Sequence, residues 1–145
     1  MTRFIFSSTY ENWAATIARV VFGLVFLMSA LFKIPGTESF TMQVEMSGAV
    51  GVPLPFVAVI LAFVLEVVSG VALVIGWQTR RFALVLAAFV MAIAFFFYRN
   101  IGEQMTLGHF MSCVVQATGL LLLSVYGAQY AAVKKDPLPH HARRG

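Results

Sequence analysis

The sequence predicts an all-α protein, a four-transmembrane-helix antiparallel bundle with both termini cytoplasmic. Three observations carry that reading. Of 145 residues, 60% are hydrophobic and only 11% charged, more apolar surface than a soluble domain of this length can bury. The apolar residues gather into four runs, at 14–32, 56–76, 82–98 and 107–127, each close to the ~20 residues with which a helix crosses hydrocarbon. Basic residues collect in alternate connections, as they do on the cytoplasmic face of a membrane protein. The alternation expected of barrel strands is missing.

The first run, 14–32, is too long for a signal-peptide core and has no clean small-x-small cleavage site after it, so it is expected to remain as a span. Residues 1–13 ahead of it form a cytoplasmic tail. Ile34-Pro35-Gly36 ends the first helix, because proline cannot continue a helix and glycine caps one. In the loop that follows, Phe40-Thr41-Met42-Gln43-Val44-Glu45-Met46 fits a short amphipathic helix stopped by Gly48, lying on the membrane. Gly51-Val52-Pro53-Leu54-Pro55 leads rigidly into the second span, and Trp77-Gln78-Thr79-Arg80-Arg81 turns tightly into the third. The third span offers Ala83, Ala87, Ala88 and Ala92 but no charge, which reads as scaffold. The transmembrane domain is expected over 14–130 and a disordered, basic cytoplasmic tail over 131–145.

Orientation follows from the loops. Arg3, Arg80, Arg81, Lys134, Lys135, Arg143 and Arg144 fall on one side. Lys33, Glu38, Glu45, Arg99 and Glu103 fall on the other. The basic excess makes the first side cytoplasmic. The net charge of +4 therefore reflects membrane topology, and no basic, aromatic-interleaved face exists to track nucleic acid. Cys113 is the single cysteine, which excludes an intrachain disulfide and a CxxC redox or metal site. The pair His140-His141 lies in the tail and is too short a signal for a metal centre.

Polar residues inside the spans are expensive and mark candidate sites. Arg19 lies about 7 Å in from the cytoplasmic end of the first helix and Glu66 about 15 Å in on the second, at 1.5 Å per residue. Gln116 on the fourth helix is level with Glu66. An extended arginine spans the difference, so Arg19 and Glu66 are expected to pair, with Ser69 and Gln116 completing an intramembrane polar site. The faces agree by three-and-four spacing: Arg19, Gly23, Leu27 and Ala30 share one stripe, and Ala62, Glu66, Ser69 and Gly70 another. Gly108, Ser112, Gln116 and Gly119 make a third. Small residues beside polar ones let helices approach, so all three stripes should face inward. The pair could equally be structural, setting helix register, and Arg19 alone could snorkel to headgroups. A second cluster is expected at the outer face from Lys33, Tyr98, Arg99 and His109, with an interfacial anchor as the plainer reading of each aromatic.

Several stretches taken in order resemble the DoxX family of small four-helix bacterial membrane proteins. They are Ala18-Arg19-Val20-Val21-Phe22-Gly23, Ser29-Ala30-Leu31-Phe32-Lys33, Leu65-Glu66-Val67-Val68-Ser69-Gly70 and Gly76 followed by Thr79-Arg80. The resemblance covers about residues 15–81. It implies a multi-pass protein of the bacterial cytoplasmic (inner) membrane, and some relatives are subunits of quinone-linked oxidoreductases. Relatives often open the fourth helix with a Phe-x-Lys-Asn-like stretch, where this chain reads Phe110-Met111-Ser112-Cys113. They also place histidines near the end of the third, where this chain reads Phe97-Tyr98-Arg99.

Two functional classes remain. The first is a structural, assembly or accessory component of the membrane, with no catalytic centre of its own and with a membrane or peripheral protein partner. The alternative is a quinone-interacting subunit, since quinones take an apolar slot with a few polar groups and a titratable side chain. The cofactor is open, a quinone being what the resemblance implies; with no haem axial pairs, flavin fingerprint or Fe–S cysteines evident in the sequence, the electrons would need a partner subunit. A proton- or solute-conducting role is thin on one central carboxylate and unbroken spans.

Overall fold

A computed structural model of the protein describes residues 8–98 and 104–127, together with position 132. Every regular element among them is a helix: α1 (Ser8–Leu31), α2 (Glu38–Ala49), α3 (Pro55–Ile75), α4 (Thr79–Tyr98) and α5 (Gln104–Tyr126). Within these, Trp13–Leu31, Pro55–Ile75, Thr79–Tyr98 and Leu107–Tyr126 are long and apolar enough to cross a membrane. Large apolar side chains stand exposed along all four, Ile17, Leu61, Phe95 and Val115 among them. A water-soluble surface would not carry so much contiguous apolar area, whereas lipid tails accept it. Arg3, Arg99, Glu103 and the basic tail lie outside the described residues, so the expected orientation of the termini rests on the sequence.

The helix ends obey local rules. α1 begins at Ser8, earlier than expected, and closes at Leu31 with the tighter bonds Phe32 N–H to Ser29 O and Lys33 N–H to Ala30 O. Thr37 caps α2 by accepting from Phe40 N–H, which satisfies one of the donors a helix start leaves open. Pro55 opens α3, where its missing N–H is no loss. At the far end of α3, Gly76 N–H donates to Leu73 O and Trp77 N–H to Ala72 O, with Gly76 left-handed at φ +74°, the Schellman arrangement.

The four long helices pack as two close pairs, α1 on α3 and α4 on α5, with lighter contact between pairs. The core lies where α4 meets α5, built from Ala83, Leu86 and Val90 against Ala117, Leu120 and Leu123, with Phe26 and Leu73 reaching in from the other pair. On α1 and α3 the expected inward stripes hold: Arg19, Ala30, Glu66 and Ser69 are buried, as are Gly23 and Gly70. The α5 stripe is corrected. Gly108 and Ser112 are exposed and Gln116 is half-buried, and a Cβ added at Gly108 would meet nothing within 4 Å. Leucine and alanine one turn round the helix fill the interior instead, because the large apolar contact with α4 sets how α5 rotates. Gly119 alone of that stripe is pressed against a neighbour, the Phe22 ring of α1. Nor is α4 uniformly packed through its alanines, since Ala88 and Ala92 are exposed.

Gly76 gives a sharp test of this end of the bundle. A side chain there would collide with the Arg19 guanidinium and with Ala132, on a backbone already left-handed. Gly76→Ala is expected to destabilise the protein by at least about 1–2 kcal/mol from the backbone conformation alone, read as a lowered melting midpoint in lipid nanodiscs. An unchanged midpoint would show that this packing is wrong.

Candidate functional site

The register of α1 on α3 is set where two glycines touch. A Cβ at Gly23 would lie 2.8 Å from the Gly70 carbonyl oxygen, and one at Gly70 would lie 3.0 Å from that of Gly23. From this crossing the antiparallel helices carry two polar levels in opposite directions. Toward the α2 end, Ser29 of α1 comes level with Glu66 of α3. Toward the other end, Arg19 comes level with Gly76.

Glu66 therefore meets Lys33, and the expected pairing with Arg19 is corrected. Lys33 Nζ lies 3.0 Å from Glu66 Oε2 and 3.1 Å from Oε1. It also donates to Ser29 Oγ at 2.9 Å and approaches Ser29 O at 3.4 Å. Ser29 Oγ in turn donates to Glu66 Oε1 at 3.3 Å. The pair is withdrawn from the surface, with 12% of the Lys33 side chain and 2% of Glu66 exposed. Arg19 is buried too, but its guanidinium lies against Gly76, ten residues along α3 from Glu66 and so about 15 Å away.

One rule explains both outcomes. Helical side chains lean toward the helix N-terminus. Lys33 stands just past the end of α1, so its stem runs back over Ser29, four residues earlier, and down to Glu66. Arg19 leans the same way, which carries it away from Glu66. Depth alone would let the arginine reach Glu66, but its stem is not free to point in either direction.

Lys33 thus leaves the expected outer cluster for the intramembrane one. What remains there is a Tyr98–His109 stack joining α4 to α5, with ring centroids 5.4 Å apart and planes inclined by 13°. Arg99 lies outside the described residues. Ser69 is buried one turn from Glu66, while Gln116 sits half-buried on α5 and does not line the cavity beside Glu66.

That cavity was not legible in the sequence. It has a volume of about 360 Å³ and lies between α3 and α4 under the helix α2. Lys33, Glu66 and Ser29 supply one polar patch of its wall, and Gln43 and Ser47 of α2 another. Phe89, Phe96 and Phe97 of α4, with Tyr98, supply aromatic walls, so α4 is more than scaffold. Its phenylalanines at positions 89, 96 and 97 fall on one face at helical spacing, a signal available in the sequence. Ser29 was likewise visible as the residue one turn before Lys33. The short helix in the first loop forms as expected, over Glu38–Ala49, but it docks on α3 through buried Phe40. Its ring meets Phe56 edge-on at 5.5 Å. It is a roof over the cavity, through Gln43, Met46 and Ser47.

Comparison with known proteins agrees with the fold. The DoxX family profile matches residues 14–99. The chain is 31% identical over 117 residues to the inner membrane protein YqjF of Escherichia coli K12, covering 81% of this chain and 86% of that one. It is 31% identical over 78 residues to the inner membrane protein YphA of the same organism, covering 54% of each. No solved structure matches it significantly.

Proposed function

Because the chain belongs to the DoxX family of integral membrane proteins, we propose that it is an accessory component of the cytoplasmic membrane that holds a small apolar ligand in the cavity beside Glu66. It has no catalytic centre of its own. Its termini lie in the cytoplasm by the distribution of basic residues, which sets α2 and the cavity in the outer half of the bilayer. The observation that carries the reading is the juxtaposition of an aromatic-walled space with a buried ion pair. Ligand sites have this form, mostly apolar with a few fixed polar groups, and ionisable residues within spans usually serve one. A bundle whose polar residues were only internal glue would have closed round them.

A second reading follows from the same walls. Phe89, Phe96 and Phe97 suit a flat ring, and an amphoteric Lys–Glu pair suits a head that gains and loses protons, which a quinone does. In that case the protein is the quinone-interacting subunit of an oxidoreductase, and a redox partner must carry the electrons.

The test is direct. Protein purified into lipid nanodiscs is expected to retain a small molecule, recoverable by solvent extraction and identified by mass spectrometry. Ala62→Phe, which fills the cavity from α3, is expected to lose it while the bundle still folds. Wild-type protein that carries nothing beyond bulk lipid and gains no thermal stability from added quinone or other apolar ligands would remove the proposal. Copurification of a redox subunit together with a quinone would favour the second reading over the first.

A further inference from the structure

We infer that the Lys33–Glu66 end of the cavity accepts a hydrogen bond but donates none, so that the polar end of an apolar molecule seated there is a phenol or alcohol rather than a carbonyl compound or ether. This rests on the reading that the cavity holds a ligand, and of the quinone alternative it admits the hydroxylated quinol rather than the quinone at this patch. It follows from a count of protons and lone pairs at the polar patch. An ammonium has three protons, and Lys33 Nζ already faces four acceptors: Ser29 O, Ser29 Oγ and both Glu66 oxygens. No proton there is left over for a ligand. The single proton of Ser29 Oγ is directed at Glu66 Oε1. The patch therefore offers an incoming group no donor.

It does offer an acceptor. A carboxylate has about four lone-pair positions. Oε1 receives Lys33 and Ser29, whereas Oε2 receives Lys33 alone among the described residues. One position on Oε2 is open, on a residue that lines the cavity. A hydroxyl arriving here adds a charge-assisted bond and breaks nothing. A carbonyl or ether oxygen would set lone pair against lone pair unless Lys33 gave up a contact. In surroundings this apolar an unmatched polar group is costly. The phenylalanine walls on α4 favour an aromatic ring behind the hydroxyl, which makes a phenol the best fit.

The experiment compares para-octylphenol with its methyl ether, para-octylanisole, which keeps the ring and chain and removes the donor. Equilibrium binding is measured to the protein in nanodiscs, with the Ala62→Phe protein as the background for partition into lipid. The phenol is expected to bind more tightly than the ether by about tenfold or more. In Glu66→Gln combined with Lys33→Met, a pair of changes that leaves no lone buried charge, the preference is expected to fall to near parity. Equal or tighter binding of the ether by the wild type overturns the donor inference and leaves ligand holding intact. Persistence of the phenol preference in the doubly substituted protein also overturns it. Failure of both compounds to bind above the Ala62→Phe background overturns the donor inference and the ligand-holding reading together.

Discussion

Lys33→Met is expected to lower the stability of the bundle by about 3–5 kcal/mol, the penalty typical of removing one partner from a buried ion pair. Glu66 would be left with Ser29 as its only donor among the described residues, in the middle of a span where even insertion scales charge about 2.5–3.5 kcal/mol for an ionised side chain. Arg19 cannot take over, because its stem points to the opposite end of α1. Adding Glu66→Gln to Lys33→Met is expected to restore most of the loss, since two neutral groups of similar shape replace two opposed charges. Unfolding in nanodiscs, followed for the wild type, both single variants and the double, measures the coupling directly. If Lys33→Met melts with the wild type, or if Glu66→Gln fails to rescue it, then the lysine is not the partner of the acid.

Gly23→Leu is expected to be nearly as damaging, for a steric reason. Even the first carbon of a side chain at Gly23 would sit 2.7 Å from Val74 Cγ2 and 2.8 Å from the Gly70 carbonyl oxygen. The valine methyl could turn aside, but a helix carbonyl cannot, so α1 and α3 must part. Overpacking of this kind typically costs about 1–3 kcal/mol, and small residues at a membrane helix crossing exist to avoid it. The consequence reaches the site, because the crossing at Gly23 and Gly70 places Ser29 and Lys33 opposite Glu66. In a Gly23→Leu background the coupling between Lys33 and Glu66 should shrink toward zero. Gly108→Ala is the control: nothing lies within 4 Å of the added carbon, and alanine for an exposed helical glycine is worth up to about 1 kcal/mol in favour of the helix. A Gly23→Leu protein that keeps both its melting midpoint and the coupling would sink this account of the register.

The contrast between these two glycines shows where the sequence could be read and where it could not. Gly23 and Gly108 look alike in a list of small residues on polar stripes. For α1 the stripe pointed inward as expected, because Arg19, Gly23 and Ala30 share it with Phe26 on the buried side. For α5 the same spacing argument failed. That helix carries apolar residues on most of its circumference, so periodicity gives no strong direction, and packing of Ala117, Leu120 and Leu123 on α4 chose the face. The misplaced partner of Glu66 has a different origin. Glu66 is buried as expected, but its partner is Lys33, which was expected in the outer-face cluster, and not Arg19. Depth and residue spacing do not report the lean of helical side chains toward the helix N-terminus, which turns Arg19 away and brings Lys33 in.

The amino-acid sequence by itself determined that this is a helical membrane protein with four spans. The free energy of keeping backbone polar groups and apolar side chains out of the wrong solvent depends on local composition and length, and neither needs a neighbour to be read. It also marked Glu66 as a group that calls for a partner, a proton or a function, because an ionised acid at that depth is costly. Only the tertiary structure decided that the partner is Lys33, that α2 folds down over α3, and that a cavity stays open beside the ion pair. Those outcomes depend on the distance at which helices pack and on how far each is rotated. Such quantities arise from the sum of many weak contacts between segments far apart in the chain.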